Sequence, residues 1–163
     1  MSRETGMQPQ TVRVAAIQAA PILFERAASI EKASELIRQA GARGARLVLL
    51  PEAFVPGYPR GFDFEVAVGD RGEQGRRDWA RYRSESIIVP GPDTELLGEA
   101  ARAAGAFVAV GVIERSREPQ GGTVYCSLLY FGPDGRLLGK HRKLKPTAAN
   151  VDVTNFANHI LSH

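Results

Sequence analysis

Hydrophobic positions in this chain follow two periods in alternation. "TVRVAAIQAAP", from Thr11, is β-branched and apolar and closes on a proline, which predicts a first strand. Ile30, Ala33, Ile37 and Ala40 then recur at helical spacing, with Glu31, Lys32 and Arg38 between them. They predict one amphipathic helix, and Gly41 or Gly44 stands where it should end. "RLVLLPEAF" is a continuous apolar run stopped by Pro51. Such a run suits a strand buried on both faces, as in a parallel sheet covered by helices.

The same unit then returns. Leu96, Leu97, Ala100, Ala101 and Ala104 make a second helical stripe, introduced by "PGPDT" and closed by Gly105, and "AFVAVGVIE" is the next buried strand. Strand and helix in this order predict an α/β fold. "TVYCSLLYF" and "RLLGKHRKL" flank the turn sequence "GPDG", which predicts a hairpin. Between the two units runs "VPGYPRGFDFEVAVGDRGEQGRRDWARYRSESIIVPGP", rich in glycine, proline and arginine. It reads as a long connection, and connections of that length are often functional.

Composition narrows the class. A chain of 163 residues, 44% hydrophobic and 24% charged, is long enough for one domain with a real core. The net charge of +3 is mild and the arginines are scattered, with no aromatic-interleaved basic stripe. Nucleic acid is therefore not an expected partner. The apolar runs are too short to span a bilayer, so no membrane is expected either. "MSRETGMQPQ" is polar, lacks the apolar stretch of a signal peptide, and reads as a disordered leader over residues 1–10. The single cysteine, Cys126, excludes an internal disulfide framework and a cysteine-based zinc site, and suits a reducing cytoplasm.

Two residues stand out for chemistry. Glu52 follows the buried run "RLVLLP", and ligands of α/β sheets bind outside the carboxyl ends of strands. Leu50, Ala53 and Phe54 would desolvate the carboxylate and raise its pKa, as a general base near neutrality requires. Equally, it could cap a helix or pair with an arginine. Lys143 lies in the basic cluster "GKHRKLKP", which alone reads as a solvated or protective strand edge. Strand alternation puts His141, Lys143 and Lys145 on one face and Lys140, Arg142 and Leu144 on the other, so one face is free to look inward. Cys126 stands among apolar strand residues and reads as a small core residue.

"LLPEAFVPGYPRG", "GRRDWARYRSESIIVPGP", "VGVIERS" and "YFGPDGRLLGKHRKLKPT" resemble, in order and spacing, the N-terminal half of the nitrilase family of carbon–nitrogen hydrolases. The resemblance covers residues 11–149, and the "VPGYPRG" and "DWARYRSESIIVPGP" blocks look like the nitrile-hydrolysing branch. It implies a four-layer α-β-β-α sandwich, of which this chain supplies an incomplete N-terminal portion. It also implies a Glu–Lys–Cys site that converts a small-molecule nitrile to carboxylate and ammonia, with no metal or organic cofactor, and a homo-oligomer in full-length members. Glu52 matches the family's glutamate and Lys143 its lysine.

The family's nucleophilic cysteine lies further along than this chain extends, so Cys126 does not inherit that role. A second family glutamate falls at Asn150, which keeps only part of a carboxylate's acceptor capacity. "NVDVTNFANHILSH", residues 150–163, departs from the family pattern and reads as the result of a frameshift, deletion or truncation, so that the chain alone is expected to be inactive; the alternatives are a non-catalytic assembly module and an amidase-type relative acting on a carboxamide. His159 and His163 stand at i, i+4 spacing by coincidence, with no carboxylate partner.

Overall fold

The computed structural model describes residues 11–61, 66–67, 70–117 and 122–144. The leader, Lys145, Asn150, His159, His163 and the whole of 150–163 lie outside the described residues. In chain order the elements are β1 (Val14–Ala16), α1 (Arg26–Ala42), β2 (Leu47–Leu49), β3 (Val66–Ala67), β4 (Asp70–Arg71), α2 (Glu73–Ser84), α3 (Pro92–Ala104), β5 (Phe107–Arg115), β6 (Val124–Phe131) and β7 (Leu137–Arg142).

The main sheet has the order β1-β2-β5-β6-β7. The first three strands run parallel, and β5, β6 and β7 pair antiparallel. β3 and β4 form a separate antiparallel pair. The fold is mixed α/β, as the alternating periods predict.

α1 and α3 form where their stripes predict. Ile30, Ala33, Ile37 and Ala40 are all buried, and α1 stops at Ala42 two residues before Gly44, whose φ is 81°. α3 begins with Pro92 at its first position, and the Gly91 N–H donates to Thr94 Oγ1 at 2.9 Å. Proline suits that position because the first N–H has no helical partner anyway. Of the α3 stripe, Leu97, Ala100 and Ala101 are buried while Leu96 faces outward. Fully burying a side chain such as Ile37 or Leu97 contributes about 1.5–3 kcal/mol.

α1 and α3 share one core with the sheet, packed on Val48, Val108, Val110, Val112, Leu129 and Phe131. Strand order explains why both helices lie together. β1, β2 and β5 advance across the sheet in one direction, and right-handed crossovers then place both helices on the same face. Among the described residues the other face is covered only in part: Ile113 and Val124 are buried there, while Leu47, Leu49, Phe107 and Tyr130 are exposed.

This corrects the expectation that "RLVLL" is covered on both sides. Val48 is fully buried, whereas Leu47 and Leu49 are 42% and 46% exposed. Val14, Phe107, Tyr130 and Leu138 are exposed too. Register sets Leu47, Phe107, Leu49 and Tyr130 on this same open face.

The long connection is also not a plain loop. Its arginine-rich middle folds as α2, anchored by the fully buried Tyr82, whose ring lies 5.4 Å from Phe24 and 6.1 Å from Trp79. These residues join Ala53, Ile113 and Val124 in a second, smaller core that Cys126 packs against. At the other end of the sheet, the β6–β7 hairpin turns at "GPDG" as predicted, with Gly135 at φ 83° and its N–H bonded to the Gly132 carbonyl at 2.9 Å.

Candidate active site

The site begins with a break in the sheet. Leu50 N–H bonds to the Ala109 carbonyl at 2.9 Å, and the next contact to β5 is Val55 N–H to the Gly111 carbonyl at 3.4 Å. Two steps along β5 therefore face five along its neighbour. The surplus residues, from Pro51 to Phe54, leave the ladder as a wide bulge and carry Glu52 out at the carboxyl end of β2. Bulges re-aim side chains in this way. Ala53 within it takes a φ of 51°, uncommon for a residue with a Cβ.

Gly111 is what lets this segment lie so close. A Cβ there would strike the Pro51 carbonyl oxygen and come within 2.6 Å of Glu52 Cα and 2.7 Å of Ala53 N. All three are backbone atoms and cannot swing aside. Gly111→Ala is expected to destabilise the protein by about 1–3 kcal/mol, the usual range for overpacking. Thermal unfolding checks this, and an unchanged midpoint would show that the bulge shifts freely.

Lys143 arrives from the opposite side. It follows β7 directly, and its N–H bonds to the Cys126 carbonyl at 2.8 Å, extending the β6–β7 ladder by one residue. Its ammonium donates to Glu52 Oε1 at 2.8 Å. The two residues singled out from the sequence, 91 positions apart, thus meet. They border a cavity of about 420 Å³ floored by Leu49, Gly111 and Leu128 and flanked by Ile17 and His141. That volume is within the usual range for small-molecule sites. Of the alternation predicted for the basic cluster, His141 and Lys143 both line this cavity and Lys140 and Arg142 turn to the other face, while Lys145 lies outside the described residues.

Cys126 departs from expectation. It is half-buried and packs against the smaller core, but its thiol donates to Glu52 Oε1 at 3.3 Å and lines the same cavity. Register explains this. Cys126 pairs with Ile113, on the parity of Gly111 and Leu128, which is the open face. An apolar neighbourhood in sequence did not reveal which face of β6 the thiol takes.

The electrostatics of Glu52 also differ from expectation. The hydrogen bond from Lys143 holds its carboxyl below the usual range; partial burial pushes the other way, and the Cys126 hydrogen bond and the ammonium charge add to the lowering. The side chain is 54% exposed, so the apolar neighbours remove too little water to raise the pKa. Glu52 is accordingly ionised at neutral pH and able to accept a proton. Because its folded pKa is lowered, its ionised form stabilises the fold above the unfolded pKa of about 4.3, and that contribution is lost as pH falls through the folded value.

A second carboxylate was not singled out from the sequence. Glu114, 2% exposed, accepts from Ser127 Oγ at 2.8 Å, from Arg142 at 2.7 and 3.1 Å, and from Lys140. Burial works against its charge, but the bonds from Arg142, Lys140 and Ser127 outweigh it and hold the pKa low. One signal was available: a charged residue directly after the buried run "VAVGVI" needs partners, and alternating cations at 140 and 142 could supply them. Among the described residues, no cluster of three or more His, Cys, Asp or Glu could hold a metal ion, and no helix is long and apolar enough to cross a membrane.

A helix layer thus packs on one face of a mixed sheet, and an acid and an ammonium meet at its strand ends. The chain belongs to the carbon–nitrogen hydrolase family, whose description "Carbon-nitrogen hydrolase" matches residues 13–160. Among its relatives are nitrilases. It is 52% identical over 137 residues to an aliphatic nitrilase of Sinorhizobium fredii, covering 84% of this chain and 43% of that protein. It is 43% identical over 148 residues to a bifunctional nitrilase/nitrile hydratase of Lupinus angustifolius, covering 91% and 41%. In fold it matches an amidase from Nesterenkonia sp. with a TM-score of 0.55 at 18% identity, covering 86% of this chain and 45% of that one. The chain spans less than half the length of these proteins.

Proposed function

We propose that Glu52 and Lys143 are two members of a nitrile-hydrolysing Glu–Lys–Cys site whose nucleophilic thiol, by the family resemblance, lies beyond residue 163. The reading is carried by one observation: the 2.8 Å contact between Lys143 Nζ and Glu52 Oε1 at the mouth of the cavity.

A nitrile carbon has no leaving group, so a thiolate that adds to it divides the task into easier steps. Glu52 takes the thiol proton. The thiolate sulfur bonds to the nitrile carbon, and the nitrogen gains a proton to give a thioimidate. Water adds, ammonia leaves and a thioester remains; a second water, activated by Glu52, releases the carboxylate and regenerates the thiol. Lys143 follows the negative charge that develops on nitrogen and then oxygen. Its compact ammonium suits that task better than a planar guanidinium would. The working enzyme is cytoplasmic and homo-oligomeric in this reading.

A graft tests it. Residues 11–149 of this chain replace their counterparts in the Sinorhizobium fredii nitrilase, and ammonia release is measured with an aliphatic nitrile and the matching carboxamide. The graft is expected to turn over the nitrile in preference to the amide, and the 163-residue chain alone to release no ammonia. A folded graft without turnover would refute the assignment, and turnover by the lone chain would assign the nucleophile to Cys126.

The exposed apolar residues Leu47, Leu49, Phe107, Tyr130 and Leu138 favour a second reading, in which the chain by itself is an assembly module. Co-purification of the lone, inactive chain with a longer nitrilase would support it.

A further inference from the structure

The cations of "GKHRK" divide between two carboxylates. Lys143 reaches Glu52 on the open face, while Lys140 and Arg142 reach Glu114 on the helix-bearing face. Register makes this division unavoidable. Val112 stands opposite Ser127 and Ser127 opposite Arg142, while Leu129 stands opposite Lys140, so these positions share the face of the main core. Glu114 continues the parity of Val110 and Val112.

We propose that Glu114 is a positioning residue for the site: by holding Arg142 and Lys140 it clamps the end of β7 and keeps Lys143 against Glu52. The proposal deepens the nitrilase reading and rests on it for its consequence in catalysis, but the clamp itself is a property of this chain.

Three features support it. Among the described residues β7 is an edge strand whose one partner is β6, and all but its first residue are exposed, so little packing holds its end. Glu114 sits two strands away on β5, and its bonds to Ser127, Lys140 and Arg142 tie β5, β6 and β7 together. The Arg142 guanidinium is gripped twice, by both oxygens of Glu114 and by the Tyr125 ring 3.7 Å from it. Guanidinium geometry favours such a two-point grip. Lys143 shares a peptide bond with Arg142. Fixing Arg142 therefore fixes the backbone from which the Lys143 side chain reaches Glu52.

A buried ion cluster that merely stabilised the sheet would leave Glu52 alone, and the test turns on this. Glu52 is titrated in the 163-residue chain by carboxylate NMR, its signal assigned by its loss in Glu52→Gln. In Glu114→Gln the Glu52 midpoint is expected to rise toward the ordinary carboxylate range as Lys143 withdraws. Should that variant fail to fold, Arg142→Met, which leaves Lys140 to neutralise Glu114, is expected to give a rise in the same direction. Ile37→Val, a core change remote from the site, lowers the melting temperature without moving the midpoint. A folded Glu114→Gln or Arg142→Met with an unchanged midpoint would overturn the proposal, as would an equal rise in Ile37→Val. If the nitrilase graft proves inactive, the nitrilase reading fails while the titration still decides the clamp. If the graft is active, Glu114→Gln should lower its kcat by about a hundredfold with KM little changed, the scale of a small misplacement at a reacting centre.

Discussion

Glu52→Gln in the grafted nitrilase is expected to reduce nitrile turnover by about a thousandfold, within the range that a positioned general base contributes. Gln keeps the shape and one acceptor oxygen of Glu52 but cannot take a proton at neutral pH. Both the activation of the thiol and the activation of the second water would lose their base. The effect should therefore fall on kcat and kcat/KM together, the pattern of an interaction made in the transition state. Stability should hardly move. Glu52 and Lys143 form a half-exposed pair, and such pairs contribute about 0–1 kcal/mol. A thousandfold loss with an unchanged melting temperature would place Glu52 in the chemistry. Full activity in a folded Glu52→Gln graft would remove it from the mechanism.

Lys143→Met is expected to lower kcat by about a hundredfold or more, comparable with removing one electrostatic donor from a preorganised site. It carries a second signature. The largest lowering of the Glu52 pKa comes from the Lys143 hydrogen bond, so removing that ammonium should raise it. An acid with a higher pKa needs a higher pH to ionise. The acidic limb of the kcat/KM profile should accordingly move to higher pH in Lys143→Met, whereas loss of a substrate contact alone would lower the profile without shifting it. An unshifted limb would mean that Lys143 does not set the charge of Glu52.

Local pattern carried much of the fold. Ile30, Ala33, Ile37 and Ala40 announce α1 because helix formation depends on neighbours three and four positions away, all of them in the same stretch. The "GPDG" turn is legible for the same reason. α2 was harder: its inward face rests on Trp79 and Tyr82, two aromatics among arginines, and it gains stability from Phe24 on a distant segment. Glu52 and Lys143 were legible as candidates, one from its place after a buried strand and one from family-like blocks around it. Their contact was not.

Strand residues resist local reading because each lies on one of two faces, and register with neighbouring strands decides which. Cys126 turned toward Glu52 and the smaller core, away from the main helix-packed core, because its parity follows Ile113. Glu114 drew two cations from β7 because Lys140 and Arg142 share its face across the intervening β6. Amino-acid order alone thus determined where α1, α3, the five strands of the main sheet and the hairpin form, since those follow from short-range periodicity and turn chemistry. The meeting of Glu52, Lys143 and Cys126, and the open apolar face beside them, were decided only by tertiary structure. A four-residue excursion over Gly111, one-way strand order and a buried counter-charge act over separations that no local pattern encodes.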